Sequence, residues 1–291
     1  MKYDFLLHSM LALSASDLAD TTEDRDLIPT SIAHRVKAIE SLNKSVAAGI
    51  TCWEQGNAMM ATCFTLLFQS VLLHDGLGEY MAFLRGIVAI GMQMGQKKMR
   101  FIFVKLFGDE NMKDLEPGLA AAPLINKDLV SAACRSLERL TPLCKTKTAI
   151  GLYALLLSMA RNLVTSSREC KSALLVQMDH LLTQPAYMGL RKVYEMFMMM
   201  PYDEFREFTD PNNDVCKVLQ AHFVAMQLIM TPITRVEWIK SKRNEPHAEG
   251  NSGRWLEALH RNIPPHMSEY YEWTLDIEKS NCLGALCCFE N

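Results

Sequence analysis

The chain has 291 residues, of which 49% are hydrophobic and 22% charged, and its formal net charge is −3. That length suffices for one large core or two closely packed helical layers. With an isoelectric point near 6.3, it lacks the basic field that phosphate backbones require, which excludes direct nucleic-acid binding.

Nine cysteines stand at 52, 63, 134, 144, 170, 216, 282, 287 and 288. Their odd number, wide spacing and apolar surroundings argue against a disulfide framework, and no C-x₂-C pair offers a zinc site. They read as small buried hydrophobes in a reducing compartment. Cys288-Phe-Glu-Asn fits a prenylation box badly. Asp4 and His8 interrupt the N-terminal apolar stretch, so no secretory signal is expected, and no run reaches the length of a membrane span. The expected location is nucleus or cytoplasm.

In chain order the pattern is helical almost throughout. Phe5, Leu6, Met10, Leu13 and Leu18 open a first helix, broken by the polar run from Asp20 to Asp26. Pro29-Thr-Ser31 offers a cap for a second helix over 32–48. Residues 57–74 are apolar on nearly every side, which predicts a helix buried on every side. Asp75-Gly-Leu-Gly78 ends it, and residues 79–107 give one or two more helices. Phe101-Ile-Phe-Val104 alone suits a strand, but its continuity with a helical pattern favours helix. Residues 109–124, with Pro117, Gly118 and Pro123, read as loop. Helices are expected at 126–140, 146–165 and 168–183, with a turn at Pro185 and Gly189. Val193, Met196, Phe197 and Met200 form one helical stripe; Leu219, Phe223, Met226 and Met230 form another behind an Asp210-Pro211 cap. Pro232 ends or kinks that helix, 243–254 reads as an exposed loop, and 255–273 is rich in aromatics. The expectation is an all-α, single-domain multi-helix bundle over 1–291 with an internal apolar pocket, its core at 5–240 and an aromatic cap at 255–280.

Common catalytic signatures are absent: no G-x-S-x-G, H-E-x-x-H, P-loop or dinucleotide fingerprint occurs. An all-helical greasy chain raises terpene-cyclase chemistry, which needs carboxylates spaced to hold magnesium. The only acidic cluster near a helix end is Asp20, Glu23, Asp24 and Asp26. Asn162, Ser166 and Glu169 miss the second metal motif by one residue, turning the carboxylate by about 100°. No metal and no cofactor is therefore expected. His8, His74, His180 and His222 lie in or beside apolar helices, where a lone histidine is commonly a hydrogen-bonded core group. His222 is the best functional candidate of the four.

The methionines carry more information, 19 in all. Flexible and polarizable, they suit either ordinary core filling or a cavity for an irregular apolar guest. The candidate pocket residues are Met59, Phe64, Met196, Met200, Phe223, Met226 and Met230. Trp238, Trp255, Tyr270, Tyr271 and Trp273 supply either a lid with polar handles or plain aromatic packing.

Four segments, taken together, resemble a known family. They are Phe5 through Ala19, Phe68-Gln-Ser through Asp75-Gly-Leu to Arg85-Gly-Ile87, Leu219 through Ile233, and Trp255 through Tyr270-Tyr-Glu-Trp273. In this order they are similar to the C-terminal regulatory domain of fungal zinc-cluster transcription factors of the sterol-uptake-control type. The resemblance implies an all-α fold around a deep apolar pocket that senses a sterol or similar lipid and gates transcription. The six-cysteine DNA-binding cluster of that family has no counterpart in this sequence. Two functions follow as expectations. The first is a ligand-sensing regulator of lipid or secondary metabolism. It would bind a small sterol- or terpenoid-like metabolite and act through a protein partner or as a homodimer, with neither direct nucleic-acid binding nor a membrane span. The second is a cofactor-independent cyclase or pericyclase built on the same fold, holding a reactive conformer in the pocket. Its catalytic candidates are His222, Tyr270, Tyr271 and Trp238, as polarizing donors.

Overall fold

The computed structural model describes residues 2–103, 110–123, 125–168, 183–237 and 248–282. The regular secondary structure among those residues is entirely helical, with no strand. The chain divides into two compact units, Met1–Gly108 and Asp109–Asn291. Among the described residues no helix is long and apolar enough to cross a membrane, and Cys52, Cys63, Cys134, Cys144 and Cys216 are free thiols.

The first unit holds α1 (Asp4–Thr22), α2 (Leu27–Ala48), α3 (Trp53–Val71) and α4 (Leu77–Gln96). Helix α1 packs on α2 and on α3, and α3 packs on α4. Helix α2 starts five residues before the expected boundary, because Pro29 is tolerated in a first helical turn. Its apolar core joins Phe5, Leu42, Met59, Met60, Cys63, Leu67, Ile87, Ile90 and Met94. Helix α3 is buried over most of its surface but not all of it: Phe68 stays 48% exposed.

A polar knot crosses that core. Arg35 of α2, only 5% exposed, donates from Nη1 to Gln69 Oε1 at 2.8 Å and to the Leu66 carbonyl at 3.3 Å. Its Nη2 donates to Ser70 Oγ at 2.9 Å and to the Glu79 carboxylate. Gln69 passes the link to α1, donating to Ser16 Oγ and the Ala12 carbonyl. One guanidinium therefore ties all four helices, and almost every polar atom it buries finds a partner.

The second unit holds α5 (Glu110–Ala121), α6 (Lys127–Arg139), α7 (Lys147–Arg168), α8 (Thr183–Met199), α9 (Tyr202–Phe208), α10 (Asp214–Ile229), α11 (Thr231–Thr234), α12 (Ala248–Asn262), a 3₁₀ turn at Pro265–Tyr270, and α13 (Glu272–Cys282). Helix α10 is its axis. Twelve of the 16 residues of α10 are buried, and it packs on α7, α12 and α13.

Several sequence expectations give way here. Residues 110–121 form a helix despite Pro117: Leu115 and Leu119, four residues apart, are buried on one face. Gly118 lets α5 close on Val236, whose Cγ1 would lie 2.3 Å from any Cβ at that position. Pro185 and Gly189 mark no turn. Pro185 sits in the first turn of α8, where its missing N–H costs nothing, and Gly189 presses against Met159. The α10 cap is Asn213, whose Oδ1 accepts from the Cys216 amide at 3.1 Å, so Asp210-Pro211 lies in the preceding turn. Residues 248–254 belong to α12, not to an exposed loop. The expected helix at 168–183 falls almost entirely outside the described residues, as do Glu169, His180 and Trp238.

Candidate functional site

The first unit carries an open apolar groove of about 410 Å³, lined by Ile87, Val88, Gly91, Met92, Gly95, Met99 and Phe101. Five of these residues form one face of α4. The other two come from the segment that follows it, and how that segment is fixed explains the groove.

Helix α4 does not run on through Phe101, contrary to the sequence reading. Lys98 takes a left-handed conformation, φ 51°. The Met99 amide then donates back to the Met94 carbonyl at 2.9 Å and the Lys98 amide to Gly95 at 3.0 Å, the hydrogen-bond pattern of a Schellman stop. Such a stop usually uses glycine, and a lysine in its place hides the signal from sequence. Beyond it, 99–103 is neither helix nor strand.

Asn57 of α3 holds this strap. Its buried side-chain amide donates to the Arg100 carbonyl at 2.8 Å and to the Trp53 carbonyl at 2.7 Å. Its Oδ1 accepts from the Ile102 amide at 3.0 Å. The Arg100 guanidinium lies over the Trp53 ring, 5.2 Å from its centroid. Phe103 turns back against Phe64, with ring centroids 5.2 Å apart. Phe101 thus becomes the groove's outer wall. A Cβ on Gly91 would meet only Phe101, at 4.0 Å, and one on Gly95 would meet nothing within 4 Å. The two glycines form a smooth floor where a guest can touch the helix backbone. No lining side chain carries a hydroxyl, amide or charge.

The residues selected from sequence lie elsewhere. Met59 is fully buried in the first unit's core, and Phe64 packs partly buried against it. Phe223, Met226 and Met230 are fully buried in the second unit and Met200 nearly so. Phe223 meets Phe197 edge-on at 5.1 Å and Tyr194 at 5.8 Å. Met196 is half-buried, its Cε 3.9 Å from where a Gly151 Cβ would stand.

His222 of α10 is wholly buried. Its Nδ1 lies 2.9 Å from the Val218 carbonyl, an acceptor only, so Nδ1 carries the proton. Its Nε2, 2.9 Å from Ser136 Oγ, then accepts from that hydroxyl. Burial pushes the imidazole pKa down to about 4, against a smaller upward pull from Val218. The ring stacks on Trp273 at 5.6 Å. Tyr271 is buried and stacks on His260 at 5.3 Å. His260 bonds the Glu278 carboxylate and, at 2.7 Å, Thr274 Oγ1. Burial lowers the His260 pKa while Glu278 opposes it. Tyr270 is half-exposed in the 3₁₀ turn. The second unit thus joins His222 to Ser136 and Trp273, and Tyr271 to His260, as a packed polar seam.

Compared with protein-family models, curated proteins and solved structures, the chain matches none.

Proposed function

We propose that this chain is a ligand-sensing regulatory protein that binds an apolar, sterol- or terpenoid-like metabolite, tied to fungal lipid or secondary metabolism. The observation that carries this reading is the groove on α4. Its volume falls in the range of small-molecule sites, about 300–1,000 Å³. Its walls are apolar, its floor is glycine, and two methionines at its rim can adapt to an irregular shape. The regulatory family that the sequence resembles binds ligands of this kind, and the resemblance supplies the transcriptional context. Cyclase or pericyclase activity ranks second, because the groove lining has no hydrogen-bond donor to polarize a substrate.

The test is a fluorescence titration of the full chain with dehydroergosterol and with a fluorescent farnesol analogue, alongside mass spectrometry of lipids that co-purify. The expected result is saturable binding that Gly95→Leu abolishes by filling the groove. Absence of binding, or binding unchanged in both Gly91→Leu and Gly95→Leu, overturns the assignment.

A further inference from the structure

The groove on α4 lacks more than polar side chains. Gly91 and Gly95 leave helix backbone open at its floor, yet every polar atom of that floor already has a partner. Both glycines lie inside α4, so their amides and the Gly91 carbonyl belong to the helix ladder. The Gly95 carbonyl accepts from the Lys98 amide at 3.0 Å, and the Met99 amide donates to the Met94 carbonyl at 2.9 Å. At the rim, Met92 and Met99 offer only thioethers, which are weak acceptors. Two cations beside the strap are turned to other tasks. Lys97 donates to the Ile50 carbonyl at 2.6 Å, and the Arg100 guanidinium covers Trp53. Lys98 stands exposed at the stop itself. Over Gly91 the floor is closed by the edge of Phe101, whereas over Gly95 it is bare.

We propose that the groove selects its guest by the size and shape of a hydrocarbon skeleton and is indifferent to the polar group that skeleton carries. An isoprenoid would then bind equally well as the free alcohol, an ether or an ester. The proposal rests on the groove being a small-molecule site and narrows the class of ligand it takes. A site that hydrogen-bonds a guest's hydroxyl rejects an analogue without it by a factor on the order of 10⁴–10⁵, because its own buried groups are then left unpaired. In this groove no lining group depends on the guest for a hydrogen bond. The groove is open, so the guest's polar group stays in water whether free or bound, and its hydration cancels from the affinity. What remains is buried apolar surface, worth about fourfold in affinity per buried methylene. Such a site reports the total pool of a skeleton and not one derivative of it.

The experiment is displacement of the fluorescent farnesol analogue from the full chain by a head-group series on one skeleton: farnesol, farnesyl methyl ether, farnesyl acetate and farnesoic acid. Geraniol and geranyl acetate, five carbons shorter, form the second series, and all are used below their solubility limits. The expected result is that the farnesyl compounds agree within about threefold, while each geranyl compound binds at least about tenfold more weakly than its farnesyl counterpart. Gly95→Leu should weaken every member of the farnesyl series alike. An analogue that fails to bind at all overturns the small-molecule reading and this proposal with it. Binding in which the methyl ether or the acetate falls more than about tenfold below farnesol overturns this proposal alone, because the site then reads the hydroxyl. Farnesoic acid binding more than about tenfold tighter than farnesol also overturns it alone, and assigns the head group to a cation such as Lys98.

Discussion

The two units solve the problem of a buried polar group in opposite ways. In the first, Arg35 brings a permanent charge into the core and answers it with Gln69, Ser70, Leu66 and a half-exposed Glu79. In the second, His222 enters the core with no charge at all, stripped of its proton by desolvation. A charged knot must keep every partner, whereas a neutral one must keep only water and protons out. The first strategy tolerates solvent nearby, and an open groove lies in the same unit. The second belongs to an aromatic interior, where Phe197 packs tilted on Phe208 and edge-on to Phe223 of α10.

The sharpest way to break this contrast is Arg35→Ala. It leaves Gln69, Ser70 and the Leu66 carbonyl without their shared donor, and should cost about 3–5 kcal/mol. Urea unfolding followed by a first-unit probe should show the loss, while the second unit's transition stays in place. Arg35→Lys should rescue little, because an ammonium cannot reach the same fork of acceptors.

Acid acts on the other side of the comparison. The folded pKa of His222 lies near 4, below its ordinary value. Its contribution to stability is complete above about pH 6.5 and is lost progressively as pH falls toward 4. The total loss is on the order of 3 kcal/mol. Second-unit stability measured across that window should fall, and His222→Asn should flatten the slope while lowering stability at neutral pH. A slope unchanged by the substitution would assign the acid sensitivity to other groups.

Asn57 gives a smaller and more local effect. Asn57→Leu removes both links to the strap, leaves the Ile102 amide without its acceptor, and should cost about 1–3 kcal/mol. Amide exchange at Ile102 should speed up long before global unfolding is detectable, and ligand affinity should drop with it. The smallest effect is also favourable: Gly91→Ala, in the middle of α4, should stabilise the first unit by up to about 1 kcal/mol in thermal unfolding. It should disturb the groove far less than Gly95→Leu.

The sequence made some of this visible and hid the rest for identifiable reasons. Helical periodicity located α3, α4, α6, α7 and α10, because each carries a long apolar face. Proline and glycine misled at 117, 185 and 189, where tertiary packing overrode local preference: Pro185 fell harmlessly in a first turn, and Gly118 and Gly189 served close helix contacts. The methionine stripes pointed to apolar interiors, and Met59, Phe223, Met226 and Met230 are indeed interior. The groove itself was not legible. It depends on Lys98 adopting a glycine-like conformation and on Asn57 reaching a carbonyl 43 residues away, and neither leaves a mark in composition or period. The Arg35 knot was equally hidden, since an arginine beside a histidine on an amphipathic helix reads as solvated surface.

The buried thiols turn the two units into their own reporters. Cys63 lies in the core of the first and Cys216 in that of the second, and burial pushes each thiol pKa up to about 12. A native molecule therefore presents almost no thiolate at either place, and a maleimide or disulfide reagent must wait for an opening. Labelling rates at the two positions, read by mass spectrometry from one sample, give the opening free energy of each unit separately, with no mutation and no added dye.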